Sequence, residues 1–184
     1  MLVAAMNPCL CGWLGHPTRK CTCSKRAIYW YRRRISGPIL ERIDLHIESE
    51  SMALSEILEG REIPESSATI QQRVIRARQL QTRRFEKFEG IHCNAQIPDR
   101  DLEKLCGLDP DCRCYVLKQM DRLQLSVRSY TRVLKLARTI ADLKGLEQIG
   151  LSQVTEALSF RSLDKPLALS AKKYTTQNPR NAFS

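Results

Sequence analysis

Apolar residues in the second half of the chain recur at the spacing of an α-helix. From Ser67 onward they return every three or four positions, which places them on one face of successive helices. The pattern predicts helices beginning near Ser67, Asp109, Ser126 and Ser152, where polar residues or Pro favour a helix start. The side chains expected to face inwards are Ile70, Val74, Ala77, Leu80, Phe85, Leu102, Leu105, Val116, Leu117, Met120, Leu123, Val127, Tyr130, Val133, Leu134, Ala137 and Ile140.

The first half of the chain has a different pattern. Residues 1–6 form an apolar run and residues 44–48 alternate polar and apolar, and both patterns are typical of strands. Between them we expect a helix that begins at Ser24, and Gly37-Pro38 must interrupt it. The chain is therefore predicted to be mainly α, with a piece of an α/β core at 1–49, a linker at 50–66, a helical domain at 67–162 and a disordered tail at 163–184.

Composition narrows the class of protein. The formal net charge is +10, which favours an acidic partner such as nucleic acid or nucleotide phosphates. No run of 18 apolar residues exists, so we expect no membrane span. The chain has 8 cysteines and no recognisable secretion signal, which indicates a reducing compartment, and we expect a cytoplasmic protein.

Two close cysteine pairs are the strongest chemical signal. Cys9-x-Cys11 and Cys21-x-Cys23 are joined by a loop that contains glycine, and four thiolates so placed favour a structural Zn²⁺ site. His16 is a spare ligand, and four free thiols are the alternative. A second group is better explained as packed or surface thiols; it comprises Cys93, Cys106, Cys112 and Cys114.

Arg42 stands at the turn that precedes the second predicted strand. A scaffold can hold a guanidinium there while it points outwards, and its planar fork suits a phosphate or a carboxylate. The alternative is a surface ion pair with Glu41 or Asp44. Asn7 can orient a phosphate or water after a buried strand, or it is part of an Asn-Pro turn. Arg128, near a helix start, can reach a phosphate or simply solvent.

A basic helix face is the remaining candidate for nucleic-acid contact. It can track a phosphate backbone, or it is a solvated charged face; its residues are Arg73, Arg76, Arg83 and Arg84. No nucleophile–base arrangement stands out, and the sequence contains no G-x-x-x-x-G-K-[ST] phosphate loop. This sequence therefore lacks the usual cradle for ATP phosphates.

Several of these segments resemble the C-terminal part of the ComM/YifB family, the Mg-chelatase-like AAA+ ATPases of bacteria. The matching segments are VAAMNPCLCG at 3–12, CTCS at 21–24, RISGPILERIDLH at 34–46, SVRSY at 126–130 and ARTIADL at 137–143. Leu10 replaces a usual Pro and Glu41 a usual Asp. The resemblance extends over residues 1 to about 161, and it implies an AAA+ core piece followed by a helical lid.

The resemblance also implies roles for single residues. Asn7 would be sensor 1, orienting the attacking water; Arg42 would be an arginine finger that acts on a neighbouring subunit's nucleotide; Arg128 would be sensor 2. A finger acting between subunits implies a ring, typically a hexamer. Members of the family act on DNA as motors, with helicase or branch-migration activity in natural transformation.

The family's N-terminal domain, P-loop and Walker B segment are not found in this sequence. We therefore expect the chain alone to be inactive, and ATP and Mg²⁺ to bind only in a complete protein or with a missing half. Met1 would then be an internal methionine of a truncated or split gene. The alternatives are a stand-alone, zinc-stabilised, basic nucleic-acid-binding protein without enzymatic activity, or an inert remnant of a decayed gene.

Overall fold

Two short helices follow the cysteine loop. The computed structural model describes residues 2–49, 65–161 and 163. Helix α1 spans Lys25–Arg32, and the Ser24 hydroxyl caps it by accepting from the Ala27 N–H at 3.2 Å. Helix α2 spans Gly37–Arg42, with Pro38 in its first turn. The predicted start at Ser24 and the break at Gly37-Pro38 are both confirmed.

The predicted strands near 1–6 and 44–48 do not form. Residues 2–6 and 45–49 carry no regular secondary structure, and the described residues pair as β-structure only at a bridge between Leu108 and Ile149. A strand requires a neighbour for its backbone N–H and C=O groups, and no described segment pairs with either of these as β-structure. Instead, the His46 N–H donates to the Phe160 carbonyl at 2.8 Å.

The second half of the chain is helical, as its periodicity predicts. The Asp109 carboxylate and the Ser126 hydroxyl cap their helices by accepting from the N–H groups of Cys112 and Ser129. Short 3₁₀ turns at Asn94–Gln96 and Asp99–Asp101 precede the second helix of this half. The helices are α3 Ser67–Phe85, α4 Leu102–Cys106, α5 Pro110–Leu123, α6 Val127–Leu143 and α7 Leu151–Ser159.

Helix α6 lies at the centre of the helical core. It contacts α3, α4, α7 and the turn at Asn94–Gln96. Its inner face is completely buried at Val133 and Ala137, which confirms the predicted face. Burying a side chain such as that of Val133 stabilises the fold by about 1.5–3 kcal/mol. The rest of the core cluster comes from all the other helices of this half and the turns between them; its members include Phe85, Ile97, Leu102, Cys106, Val116, Met120, Ile149 and Val154.

Some predicted core positions are exposed. Every residue of α3 from Ser67 to Arg76 is exposed, so Ile70 and Val74 do not face the core. The reason is that the described helices cover α3 only from Ala77 onward. Leu117 and Val127 are exposed as well. On these helices the inner faces are occupied instead by Val116 on α5 and Val133 on α6.

A buried carboxylate joins α3 to α6. Asp142 is fully buried and accepts two hydrogen bonds from Arg84, one of them at 2.7 Å. Arg138 and Asn94 donate to the same carboxylate at 3.1 and 2.8 Å. Arg84 is therefore not part of a solvated basic face, and Arg73 on the same helix pairs with Glu65.

Parts of the predicted domain plan lie outside the described residues. The linker falls there from residue 50 to 64, and so does the predicted disordered tail from residue 164 onward. None of the helices in the described ranges combines the length and apolar character that a membrane crossing requires.

Candidate functional site

The two cysteine pairs come together as the spacing predicts. The sulfurs of Cys9, Cys11 and Cys21 lie 3.4 to 3.6 Å apart, and that of Cys23 lies within 4.8 Å of all three. A tetrahedral zinc site with Zn–S bonds of about 2.3 Å separates its sulfurs by about 3.8 Å. The four side chains could therefore hold a metal ion with small adjustments.

The backbone of the loop explains how residues so far apart in sequence meet. Gly12 adopts a φ of +80°, and its N–H donates to the Cys9 carbonyl at 3.1 Å. This tight turn directs Cys9 and Cys11 towards the same point. His16, the spare ligand, is not part of the cluster, and its Nδ1 accepts from the N–H groups of Thr18 and Arg19 at 3.2 and 3.0 Å.

The thiols are not equivalent. Backbone N–H groups of Trp13 and Thr22 lower the pKa of Cys11 to about 5. For Cys21, the backbone N–H of Cys23 favours the thiolate, but burial and the neighbouring thiols together raise the pKa to about 12. One thiolate therefore forms readily, and its charge opposes ionisation of its neighbours. A bound cation would relieve that repulsion.

The second cysteine group does not form such a cluster. Among the described residues, the only group of cysteine, histidine and acidic side chains close enough to share a metal ion is the one in the N-terminal loop. Cys106 and Cys112 are buried, and burial is the main cause that raises the pKa of each to about 11. These two side chains pack as small hydrophobic residues, as expected.

Arg42 ends α2 and is exposed. Its guanidinium donates to the Pro38 carbonyl at 3.1 Å. The two carboxylates that offered the alternative of a local ion pair have other partners: Asp44 binds Arg132, and Glu41 lies 4.0 Å from Arg128. Within the described chain, Arg42 makes no ion pair. Its guanidinium therefore remains available to an external anion.

A buried arginine holds the backbone around Arg42. Arg161 is 1% exposed, and its guanidinium donates to the carbonyls of Ile43 and Glu41 and to the Ser129 hydroxyl. The His46 ring lies 3.2 Å from the Leu40 carbonyl through its Nε2 atom. The carbonyls at the end of α2 are thus bonded by side chains and backbone from beyond the helix.

Sequence reasoning missed Arg161. An arginine directly after the last apolar helix looks like an ordinary surface residue, because nothing in a helical period shows that it is buried. The one available signal was its place at the end of an otherwise apolar segment, immediately after Phe160.

The three phosphate-binding candidates are only partly brought together. Arg128 is the second residue of α6 and approaches Glu41, the neighbour of Arg42. Asn7 is exposed at the start of the cysteine loop, and no hydrogen bond joins it to Arg42 or Arg128 in the described structure. The α2 turn and the start of α6 therefore form one region.

Two family models match successive parts of the chain. The family model described as "Magnesium chelatase, subunit ChlI" matches residues 1–57, and "Magnesium chelatase, subunit ChlI C-terminal" matches residues 64–161. The first match ends at residue 57 and the second begins at residue 64.

Full-length relatives show similarity along most of the chain. This chain is 36% identical to Competence protein ComM of Haemophilus influenzae over 88% of the chain's length. It is also 36% identical to the uncharacterized protein YifB of Salmonella typhimurium, over 90% of the chain's length. An uncharacterized Mycobacterium tuberculosis protein is 30% identical over 87%. The chain spans only 30 to 31% of the length of these relatives. Because the two family models together match residues 1–57 and 64–161, the chain belongs to the magnesium chelatase subunit ChlI family.

Proposed function

We propose that this chain supplies Arg42 as an arginine finger to an ATP-hydrolysing site shared between the subunits of a ring. The observation that carries the proposal is that Arg42 is exposed and makes no ion pair with any described residue, on a helix end that buried Arg161 holds in place. A guanidinium so held can stabilise the charge of a transferring phosphoryl group, because phosphoryl transfer depends on positioning and charge neutralisation.

The other two candidates take complementary roles in this proposal. Asn7 acts as sensor 1 and orients the attacking water, and Arg128 acts as sensor 2 on the helical lid. The amide cradle, the lysine and the Mg²⁺ ligand come from a P-loop outside this sequence. The complete assembly is a homo-oligomeric ring of the hexameric type that the resemblance to AAA+ proteins implies.

Replacing Arg42 by Ala in the complete protein tests this proposal. ATP hydrolysis should be lost while ATP binding is kept, because a finger acts on the transition state of a neighbouring site. Unchanged hydrolysis would remove the assignment.

We further propose that the complete protein acts on DNA. Two features support this: the net charge of +10, and the similarity to a protein named for competence. The class of activity would be a DNA motor with helicase or branch-migration activity in natural transformation.

The cofactor we propose for the cysteine loop is a structural zinc ion. Four sulfurs within 4.8 Å of one another fill a tetrahedral shell and leave no open position for a catalytic water. The residues that would hold it are Cys9, Cys11, Cys21 and Cys23.

Zinc content gives a direct check. We expect one zinc ion per chain in reduced protein purified without chelators, measured by elemental analysis, and loss of most of it in Cys9→Ser. Cys114→Ser is the matched control, because Cys114 is exposed and lies outside the cluster. A wild-type protein without zinc, or equal loss in both variants, would contradict the metal site.

A further inference from the structure

The N-terminal quarter of the chain carries an unusual distribution of charge. Its first 40 residues contain no Asp or Glu, and the first acidic residue is Glu41. The same stretch contains seven cationic side chains, none of which forms an ion pair with another described residue. They are Arg19, Lys20, Lys25, Arg26, Arg32, Arg33 and Arg34.

Both tryptophans of the chain lie among these cations. Trp30 on α1 is 57% exposed, and the Arg33 guanidinium lies 5.9 Å from its ring centroid. Arg26, four positions before Trp30, belongs to the same side of the helix. In the cysteine loop, the Arg19 guanidinium lies 4.3 Å from the Trp13 ring. Each tryptophan ring of the cysteine loop and α1 therefore has an arginine guanidinium beside it.

The loop and α1 are held together as one unit. The half-buried Arg32 donates from its Nε to the Pro8 carbonyl at 3.3 Å, so it fixes the end of α1 to the start of the loop. At the other end, Ser24 follows directly after Cys23 and caps α1. The cysteine cluster thus anchors both ends of the segment that presents Trp13.

We infer that the cysteine loop and α1 form a binding surface for single-stranded nucleic acid, with Trp30 as a platform on which a base stacks. Cations without an ion-pair partner among the described residues match the repeating phosphates, and the exposed Trp30 indole matches a base that is unpaired. In a duplex, the bases already stack on one another and their faces are inaccessible, so single strands are the fitting partner. This inference rests on the proposed action on DNA and assigns it a surface.

The test uses two double variants of exposed cations. Arg33→Gln/Arg34→Gln removes two cations from the proposed surface, and Lys118→Gln/Arg122→Gln removes two from α5. The two double variants have the same net charge, so a difference between them reports location rather than overall charge. Binding of a labelled oligothymidine of about 16 nucleotides is followed by fluorescence anisotropy at several salt concentrations.

We expect the Arg33/Arg34 variant alone to bind more weakly. Its slope of log K against log salt should decrease by about 1.4, because each phosphate contact on a single strand contributes about 0.7.

Trp30→Ala should weaken binding about five- to hundred-fold, and Trp30→Phe should recover much of the loss. In this chain on its own, tryptophan emission should be quenched on binding, and it reports only this region because both tryptophans of the sequence lie in it.

Three results would overturn the inference. These are equal weakening by the two double variants, Trp30→Ala binding like wild type, or a tryptophan emission that does not respond to the oligonucleotide. If the complete protein binds the oligonucleotide while this surface does not respond, the surface is wrong and the action on DNA stands. If neither the complete protein nor this chain binds the oligonucleotide, the proposed action on DNA and the proposed surface both fail. The role of Arg42 is then untouched, because the assay contains no ATP.

Discussion

ATP hydrolysis by the complete protein should fall about a thousand-fold or more when Arg42 is replaced by Ala. The side chain is exposed and pairs with no carboxylate in the part of the chain that the structure describes, while Arg161 fixes the backbone on either side of it. Its loss removes a preorganised charge that acts only on the transition state. The turnover number should therefore fall while the dissociation constant of ATP stays within a few-fold of wild type.

Two further variants show whether charge or geometry is responsible. Arg42→Lys keeps the positive charge but loses the planar fork, so it should recover only part of the lost turnover. Arg83→Ala removes another exposed arginine, on α3, and should leave hydrolysis unchanged. Wild-type turnover in Arg42→Ala, or loss of ATP binding alone, would contradict the finger role.

The second large effect concerns stability. Asp142→Asn should lower the free energy of unfolding by about 3–5 kcal/mol, because it leaves the guanidinium groups of Arg84 and Arg138 without their buried carboxylate. Urea unfolding followed by circular dichroism measures the change. Glu156→Gln is the matched control, since it breaks the exposed pair with Lys144 and should cost less than about 1 kcal/mol.

The pH dependence of this effect has a definite sign. Burial by itself would raise the pKa of Asp142, but hydrogen bonds from Arg84 and Asn94 and the charge of Arg138 lower it below its usual value. The stabilisation is therefore complete above the unfolded pKa of about 3.9 and is lost as the pH falls towards the lower folded pKa. The difference between wild type and Asp142→Asn should shrink in that acidic range. A difference that does not change there would contradict the ionised network.

Local signals in the sequence predicted helix starts and the thiol cluster well. Ser24, Asp109 and Ser126 act as caps where their position indicated, because a cap depends only on the next few residues. Cys9 and Cys11 meet Cys21 and Cys23 because the intervening loop is short and turns at glycine.

Long-range partners could not be predicted in the same way. Arg84 and Asp142 are 58 positions apart, and Arg161 bonds to Ile43 across 118 positions. No periodic pattern pairs residues at such distances. The exposed Ile70 and the missing strands have a related cause: apolar periodicity shows which face is suited to burial but not whether another segment covers it.

The central claim is that Arg42 completes a nucleotide site on a neighbouring subunit, and mixed rings test it most directly. Subunits with Arg42→Ala keep an intact P-loop, whereas subunits with an inactivated P-loop keep Arg42. Each alone should hydrolyse almost no ATP, and mixing them before assembly should restore hydrolysis, because some interfaces then combine both intact halves. We expect recovery that depends on the mixing ratio. If every mixture remains as inactive as its components, Arg42 does not act across a subunit interface, and the account is wrong.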